Sequence, residues 1–481
     1  MNASYNVLEK PWIPVVTTSG SIEMHGLRQV ILQAQDYKEI SCASPLEEYS
    51  LYRFVALFLM DALRPESELD IEDLLENGSF SSKQIDDYIS TCKKEGVSFD
   101  LFDTERPFLQ CKFDPEFDKE IKPVRVLDCT APSGNNHTHF THASQFVNVL
   151  KADQAMRKLL ESYLFCTAAA QGYPSGVNGA PPFFSVIKGR NLFESLVYCL
   201  IPLDTIGISF DKPPVLWRRK EPVVPKTEVG NTSWLQGMLF PTRRIHLIPD
   251  ESGRVIGTYY CQGENYVNKE NWRDPYVTYR KNDKSIFPLR PHADRAIWRN
   301  LCDIVNVAGG QAPMILGQYQ SIKAGEYIDI SLYGVETSNA SYLGVYRHNL
   351  SFPIALVEKN DSVELLRSCI DASESIAYNL KTALSGKGES TFPKLAIDQA
   401  MRQYLKCCED HFWFVCGKAK EEIPYKELYA EYCNLITKDA ARVYSTFLER
   451  QNLRSKDLIA AEGRSALLFT SIRKLRKEAG L

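Results

Sequence analysis

Three of the eight histidines, His137, His139 and His142, stand together in one polar stretch of this 481-residue sequence. Imidazole is a common metal ligand and the usual acid–base group near neutral pH, so this grouping could serve a metal-dependent nuclease. No HExxH, CxxC or repeated aspartate pattern supplies further ligands and a base. The alternative is a loop whose histidine and asparagine side chains bind backbone groups or donate hydrogen bonds to a phosphate. The residues alone leave both interpretations open.

Other signatures of catalysis are weak. Gly386-Lys387-Gly388 resembles the end of a phosphate-binding loop, but Lys381 stands where the first glycine belongs and Gly388 replaces the required serine or threonine. The triplet is better interpreted as the end of a helix. The sequence contains no GxSxG elbow and no pair of carboxylates specific enough to name. These motifs favour neither an enzyme nor a bound cofactor.

The lengths of the apolar runs and the placement of the cysteines indicate the cellular compartment. The longest apolar run, Phe54 to Met60, is seven residues long, whereas a membrane-spanning helix needs about 20. The start, Met1 to Pro14, lacks the basic and apolar regions of a signal peptide. Thirteen cysteines lie mostly in apolar stretches and form no CxxC pair, which is typical of a reducing compartment and argues against a zinc ribbon. We predict a cytoplasmic protein with no membrane partner.

Charge is unevenly distributed along the chain. The net charge is −4, from 56 basic and 60 acidic side chains. By segment, residues 1–130 carry −11, residues 211–300 carry +6 and residues 441–481 carry +5. Basic segments suit phosphate contacts, although solvated helix faces give similar counts. Four basic clusters could each neutralise phosphates, with Trp217, Tyr279 and Trp298 interleaved for packing or stacking: Trp217–Lys220, Arg243–Arg244, Arg280–Lys284 and Arg473–Lys477.

The elements that must position these residues begin with a short β-hairpin at residues 12–24. Ser44, Pro45 and Glu47 predict a capping box, and the helix that follows should end at Arg64-Pro65. Alternation predicts a strand pair over residues 99–111, and helical spacing predicts helices over 153–170 and 191–201. Further strands are expected at 183–187, 243–248 and 255–261, within a β-rich, basic region from 234 to 300.

From Val363 onward the pattern becomes helical. A single apolar stripe runs from Ile397 to Val415, and residues 366–384, 425–448 and 459–475 behave likewise with short linkers. Four adjacent antiparallel helices predict an up-down bundle. We therefore expect an α+β protein with an irregular mixed α/β N-terminal domain, residues 1–360, and an all-α four-helix bundle, residues 361–481.

Several segments in order resemble one family, the large subunit (CasA) of Cascade, the type I-E CRISPR surveillance complex. The likeness spans nearly the whole chain, and it rests on the order and spacing of the segments together. They are Asn6-Val-Leu-Glu-Lys-Pro-Trp-Ile-Pro14, Glu105-Arg-Pro-Phe-Leu-Gln110, Ser133-Gly-Asn-Asn-His-Thr-His-Phe140, Ser175-Gly-Val-Asn-Gly-Ala-Pro181, the 191–203 helix, Gly237-Met-Leu-Phe240 and the terminal bundle.

The resemblance implies a non-catalytic subunit of an RNA-guided complex. Members of this family inspect double-stranded DNA for the protospacer-adjacent motif from the minor groove, start strand separation there and recruit a separate helicase-nuclease. Its partners would be the backbone subunits of Cascade, the 5′ handle of the guide RNA, target DNA and that nuclease. Minor-groove recognition depends on groove width and close approach, so it calls for small residues, a cation and a wedge. A purely structural scaffold is the third alternative.

The resemblance also implies roles for particular residues. Residues 168–172 match the family's glycine loop, with Gln171 and Gly172 best placed to approach the bases, although alanine replaces several glycines here. The hairpin that inserts a wedge matches residues 335–344, where Asn339-Ala340 puts a shorter amide in place of glutamine. Lys269 is the candidate for the lysine that contacts the motif. The loop ending at Phe140 would anchor the subunit to the RNA handle and its neighbours through Asn135, Asn136, His137 and Phe140. A cysteine cluster seen in some relatives is missing, since only Cys261 remains in that region, so no zinc is expected.

Overall fold

A computed structural model gives the structure of the chain. It describes residues 3–130, 148–168, 172–282, 285–322, 324–338, 341–385, 392–421, 423–451 and 455–481. The chain divides into two compact units. The first comprises Met1–Arg295, Ala312–Ala324 and Asp329–Leu350, and the second comprises Ala296–Gln311, Gly325–Ile328 and Ser351–Leu481.

The described helices and strands follow in chain order. The helices are α1 (Leu27–Leu32), α2 (Pro45–Leu63), α3 (Glu68–Asn77), α4 (Ser82–Lys94), α5 (Ala152–Leu164), α6 (Leu192–Val197), α7 (Trp234–Met238), α8 (Leu301–Ile304), α9 (Met314–Ser321), α10 (Ala355–Glu358), α11 (Asn360–Ser385), α12 (Lys394–Lys418), α13 (Tyr425–Glu449) and α14 (Ser455–Glu478). The strands are β1 (Ile13–Thr17), β2 (Ile22–His25), β3 (Tyr37–Ile40), β4 (Ile121–Lys122), β5 (Phe184–Lys188), β6 (Glu228–Val229), β7 (Arg243–Pro249), β8 (Val255–Gln262), β9 (Asn265–Tyr266), β10 (Tyr279–Lys281), β11 (Ile286–Pro288), β12 (Tyr327–Ser338) and β13 (Ser341–Pro353).

Helix α2 forms the centre of the first unit. It is apolar on nearly every face and its side chains from Leu46 to Asp61 are almost all buried, as expected of a helix covered on all sides. Ser44 caps it, since its Oγ accepts a hydrogen bond from Leu46 N at 3.3 Å, and Arg64 ends it in a left-handed conformation. The predicted capping box is wrong in its second half. The Glu47 carboxylate instead pairs with Arg157 at 3.0 Å.

Small sheets surround this helix. The predicted hairpin is confirmed as β1 and β2, which form a three-stranded sheet in the order β2-β1-β3. The two strands expected in the basic region are β7 and β8, which pair antiparallel with Ile245 opposite Tyr260 in the sheet β4-β8-β7. A third sheet has the order β13-β12-β5. Only two residues separate β12 from β13, and a connection that short joins antiparallel strands.

The predicted strand pair over residues 99–111 is wrong. The segment forms turns and joins a ladder only through an isolated bridge between Asp100 and Asn6. Side chains take the backbone groups that a second strand would need: Asp100 Oδ1 accepts from Phe102 N at 2.8 Å, and Gln110 Nε2 donates to Leu101 O at 2.8 Å. The alternation of apolar residues in this segment therefore indicates which side chains are buried, but the segment forms no strand ladder. Local hydrogen bonds from side chains compete with sheet formation.

The second unit contains the four long helices expected from the C-terminal pattern, and this prediction is confirmed with ends shifted by a few residues. Helix α11 packs against α12, α13 and α14, and α13 also packs against α12 and α14. The predicted stripe of α12 is buried, including Tyr404, Cys408 and Phe412. Together with the first unit this confirms the expected α+β class. In the described part of the chain, no helix combines the length and the apolar character that crossing a membrane requires.

Candidate nucleic-acid interface

Helix α5 ends earlier than predicted, and the chain after it forms the candidate site. The helix stops at Leu164, although helical spacing had predicted residues 153–170. The following segment, residues 165–180, contains residues 168–172, which match the family's glycine loop. The whole segment 165–180 is called the glycine loop below, and its residues 169–171 lie outside the described part. Arg243 on β7 holds the loop: its Nη2 donates to Thr167 O at 2.7 Å and its Nη1 donates to Pro174 O at 2.7 Å. One buried guanidinium thus ties both sides of residues 168–173 to the sheet.

Gly172 has the backbone expected of a position that approaches a ligand closely. Its φ is +78°, a conformation that side chains other than glycine rarely adopt. A methyl group there would lie 3.1 Å from Gln262 Nε2. The structure places Gly172 at the edge of β8, while Gln171, the other predicted loop residue, is outside the described part. The backbone conformation at 172 therefore favours glycine, and a methyl group there would require the end of the Gln262 side chain to shift.

Aromatic and cationic side chains contact the glycine loop and hold it in place. The Lys122 Nζ donates to the Tyr173 hydroxyl at 2.9 Å, and the guanidinium of Arg243 lies 4.9 Å from the centre of the Tyr173 ring. The second half of the loop is anchored by Asn178, whose Nδ2 donates to Asp274 Oδ2 at 2.9 Å. A buried charge pair fixes Asp274 in turn, through Arg53 at 2.6 Å. Buried charge pairs of this kind hold geometry more than they add stability.

The predicted hairpin docks beside the glycine loop. The flanking strands β12 and β13 are hydrogen-bonded neighbours, and Asn339 and Ala340, the predicted wedge residues, lie between them but outside the described part. Just beyond them, the Tyr342 hydroxyl donates to Phe165 O at 2.8 Å, where the glycine loop begins. The structure thus brings the flank of the hairpin and the start of the glycine loop into direct contact, although some 175 residues separate them in sequence.

Lys269 lies at the other end of the glycine loop. Its Nζ donates to Ser175 Oγ at 2.7 Å. Burial, followed by repulsion from Arg290, lowers the pKa of the Lys269 ammonium. Sequence reasoning selected Lys269 but missed Arg290, Arg53 and Asp274. Their only signal in the sequence was membership of charged stretches, because the contacts that define them join distant parts of the chain.

Two of the predicted phosphate-binding clusters contain arginines that bind partners inside the protein. Arg218 pairs with Glu95 at 2.7 Å, Arg219 with Glu264 at 2.6 Å and Arg244 with Asp118 at 2.8 Å. Arg243 and Arg244 are 3% and 2% exposed, so the prediction that this pair neutralises phosphates is wrong. Consecutive residues of a strand point to opposite faces, and here both faces of β7 are covered. Trp217 and Trp298 are buried, so they pack and do not stack on bases.

Two arginines near the C-terminal end of α14 also bind partners within the protein. Arg476 Nη1 donates to Asn434 Oδ1 at 2.8 Å, and Arg473 Nε donates to Phe469 O at 3.3 Å. Cations at a helix C-terminus are favoured by the helix dipole. In the 280–284 cluster, residues 283 and 284 lie outside the described part. The cluster prediction for these two segments stays a prediction.

The predicted assembly loop cannot be compared with the structure. Asn135, Asn136, His137 and Phe140 lie outside the described residues, as do His139 and His142. Within the described residues, no group of three or more histidine, cysteine, aspartate or glutamate side chains is arranged to hold a metal ion. Cys129 lies shortly before this loop in the sequence, and its Sγ donates to the Glu161 carboxylate at 3.0 Å. Burial raises the pKa of Glu161, ahead of the opposing attraction of Lys158.

Comparison with known proteins identifies the family. The family described as CRISPR-associated protein Cse1 matches residues 6–441, most of the chain. The chain belongs to the Cse1 family. A curated relative in Thermus thermophilus, CRISPR-associated protein CasA/Cse1, is 28% identical over 404 residues, covering 78% of this chain and 76% of the relative. The resemblance found in the sequence is therefore confirmed.

Solved Cse1 structures share the fold. The crystal structure of Thermobifida fusca Cse1 matches with a TM-score of 0.80 at 18% identity, over 99% of this chain and 98% of that one. Thermus thermophilus CasA matches with a TM-score of 0.77 at 21% identity, over 98% and 99% of the two chains. A chain of a structure described as a CRISPR RNA-guided surveillance complex matches with a TM-score of 0.75 at 18% identity, over the full length of both. The α+β architecture is thus that of Cse1 proteins.

Proposed function

We propose that this chain is the non-catalytic large subunit of an RNA-guided type I-E CRISPR (Cascade) complex. In this role it recognises the protospacer-adjacent motif in double-stranded DNA, promotes strand separation and R-loop formation, and supports recruitment of a helicase-nuclease. Membership of the Cse1 family supports the assignment, as does the shared fold with a chain from a surveillance complex. Backbone subunits of the complex and the 5′ handle of the guide RNA are its partners, through the loop that contains Asn135, Asn136, His137 and Phe140.

One observation carries the DNA-reading part of the proposal. The Tyr342 hydroxyl joins the flank of the β12–β13 hairpin to Phe165 O, so the hairpin contacts the chain three residues before the 168–172 segment that the resemblance assigns to motif reading. A minor groove is narrow and its base edges are degenerate, so reading it requires a small backbone element beside a wedge. Gly172, with no side chain and a left-handed backbone, supplies the former. Asn339 and Ala340 supply the wedge, and Lys269 supplies a cation.

Binding measurements on the reconstituted complex test the proposal. Gln171→Ala and Asn339→Ala are compared with wild type in a gel-shift assay on duplexes that carry a randomised motif beside a fixed target. We expect both variants to weaken binding to preferred motifs and to narrow the difference between motifs. Asn77→Ala and Gln84→Ala, which remove exposed amides on α3 and α4, are matched controls and should bind as wild type does. Equal wild-type affinity for every motif would refute motif reading and favour a structural scaffold.

The absence of catalysis is tested separately. The isolated chain is incubated with duplex DNA in the presence of Mn²⁺ or Zn²⁺, and metal content is measured after dialysis. We expect neither cleavage nor retained metal, because the proposed role needs no bond chemistry. Turnover that is lost in a His137→Ala, His139→Ala, His142→Ala variant would establish the nuclease alternative instead.

A further inference from the structure

Two cations at the second half of the glycine loop face each other without a carboxylate between them. Arg290 Nε donates to Ala180 O at 3.3 Å and its Nη2 donates to Asn178 O at 3.5 Å, while Lys269 Nζ donates to Ser175 Oγ. Neither forms an ion pair with any carboxylate of the residues that the structure describes. Arg218, Arg219 and Arg244 are paired with carboxylates. Arg290 and Lys269 differ from them because they remain available to bind an anion.

The separation of the two charged groups suits one small anion. A methyl group at Gly179 would lie 3.3 Å from Arg290 Nη2 and 3.9 Å from Lys269 Nζ, so these two nitrogens are no more than about 7 Å apart. A phosphate carries several oxygens, so two donors at this separation can bind different oxygens of the same group. Gly179 has a φ of +78° and leaves the space between them open.

The backbone on either side of Arg290 is held by contacts within the protein. Leu289 N donates to Thr278 O at 2.8 Å and Leu289 O accepts from Phe183 N at 2.9 Å, which fixes the backbone next to Arg290. On its other side, Pro291 lies so close to Gly334 on β12 that a methyl group there would be 2.5 Å from the proline ring. Burial lowers the pKa of Arg290, and burial with repulsion from Arg290 lowers that of Lys269. The repulsion between them is relieved when an anion binds.

We propose that Arg290 and Lys269 together bind one backbone phosphate of the target DNA duplex. The inference rests on the proposed function and adds a residue and a chemical group to it. Arg290 contacts the carbonyls of Asn178 and Ala180, which follow Gly172 along the chain, while the adjacent Pro291 packs on β12 of the hairpin. A duplex that presents its minor groove to Gly172 also presents the phosphates that border that groove. Phosphate contacts position a protein on DNA and carry no sequence information.

The dependence of binding on salt tests this proposal. The reconstituted complex is titrated with a target duplex between about 50 and 200 mM salt, because each neutralised phosphate contributes about −0.9 to the slope of log K against log salt. We expect the Arg290→Gln, Lys269→Gln double variant to reduce the magnitude of that slope by about 0.9, the contribution of one phosphate. Either single variant should reduce the slope by less, because the remaining cation still neutralises part of the same phosphate. Preference among motifs should persist in Arg290→Gln.

Conservative and distant variants make the outcome decisive. Arg290→Lys keeps the charge and should retain the wild-type slope, and it guards against loss of folding in Arg290→Gln. Arg190→Gln, whose side chain is 90% exposed on the first unit, and Lys83→Gln on α4 are charge-matched controls that should leave the slope unchanged. An unchanged slope in the double variant, or a slope loss in Arg290→Lys equal to that in Arg290→Gln, refutes the proposal. A double variant whose slope falls by about 1.8 refutes a shared phosphate, because that is the contribution of two phosphates.

Failure of the proposed function gives a different result. If wild-type affinity is equal for every motif, motif reading fails, whereas the salt slopes still measure the phosphate contact. If the variants change the slope for single-stranded RNA of the same sequence and leave the duplex slope unchanged, the cation pair binds RNA and the assignment to DNA is wrong.

Discussion

Replacing Arg243 with methionine removes a side chain that ties Thr167 and Pro174 of the glycine loop to β7. Arg243 is 3% exposed and also donates to Thr242 O at 2.9 Å and to the Tyr260 hydroxyl at 3.1 Å. A fully buried carbonyl left without a partner costs about 1–3 kcal/mol, and the partly buried carbonyls of Thr167 and Pro174 cost less because they can turn toward water. Part of this is offset because a buried guanidinium no longer has to be desolvated. We expect Arg243→Met to lower the free energy of unfolding of the first unit by about 2–4 kcal/mol.

The same change should alter DNA reading more than DNA binding. Without Arg243, the carbonyls of Thr167 and Pro174 are free to turn toward water, so Gly172 is no longer held at one position. We therefore expect the affinity difference between preferred and rejected motifs to shrink, while affinity for rejected motifs changes little. Arg243→Lys should recover only part of both effects, because an ammonium is a compact charge that lacks the planar fork of a guanidinium.

Urea unfolding followed by tryptophan fluorescence, together with gel-shift titrations on two motifs, measures both effects. Arg254→Met is the matched control: Arg254 is 59% exposed at the turn between β7 and β8, where it pairs with Asp250. An exposed pair of this kind contributes about 0–1 kcal/mol. Should Arg243→Met and Arg254→Met prove equally stable and equally selective, the account of Arg243 as the anchor of the loop would be wrong.

Three further changes test single features of the structure. Gly172→Ala forces a side chain into the left-handed region at a cost of about 1–2 kcal/mol. This variant should reduce motif selectivity in the same gel-shift titrations. The control is Gly78→Ala at the left-handed residue that follows α3, which should reduce stability alone. Tyr342→Phe removes the hydrogen bond to Phe165 O and should speed hydrogen exchange of β13 amides, consistent with a loss of about 1 kcal/mol; unchanged exchange would contradict that docking contact. Because burial raises the pKa of Glu161 above 4.5, the folded chain binds that proton more tightly than the unfolded chain, so stability falls as pH rises from 4.5 through the folded pKa. Glu161→Gln should flatten this part of the profile, measured by urea unfolding between pH 4.5 and 7, and an unaltered profile would count against it.

Local patterns in the sequence predicted elements whose stability is local. Ser44 and Pro45 start a helix wherever they occur before an apolar run, and the stripe from Ile397 to Val415 has the helical period over its full length. These features need no knowledge of distant residues. The family resemblance likewise depends on the order of short segments, and the match over residues 6–441 confirms it.

Where the predictions failed, a side chain had taken over a backbone group, either from a distant part of the chain or from within the segment itself. Helix α5 ends at Leu164 and Thr167 O accepts from Arg243, 76 residues later. In the segment 99–111, the side chains of Asp100 and Gln110 bind backbone groups that a strand ladder would use. Periodicity carries no information about such partners, because it depends only on neighbours along the chain.

By itself, then, the sequence determined the family, the α+β class and the four long C-terminal helices. Only the tertiary structure decided which of the many arginines remain available for a ligand. Arg218, Arg219 and Arg244 are neutralised by carboxylates far away in sequence, whereas Arg290 and Lys269 meet carbonyl and hydroxyl groups. The physical reason is that a charge is compensated by what lies within a few ångströms of it in space, and folding alone sets that neighbourhood.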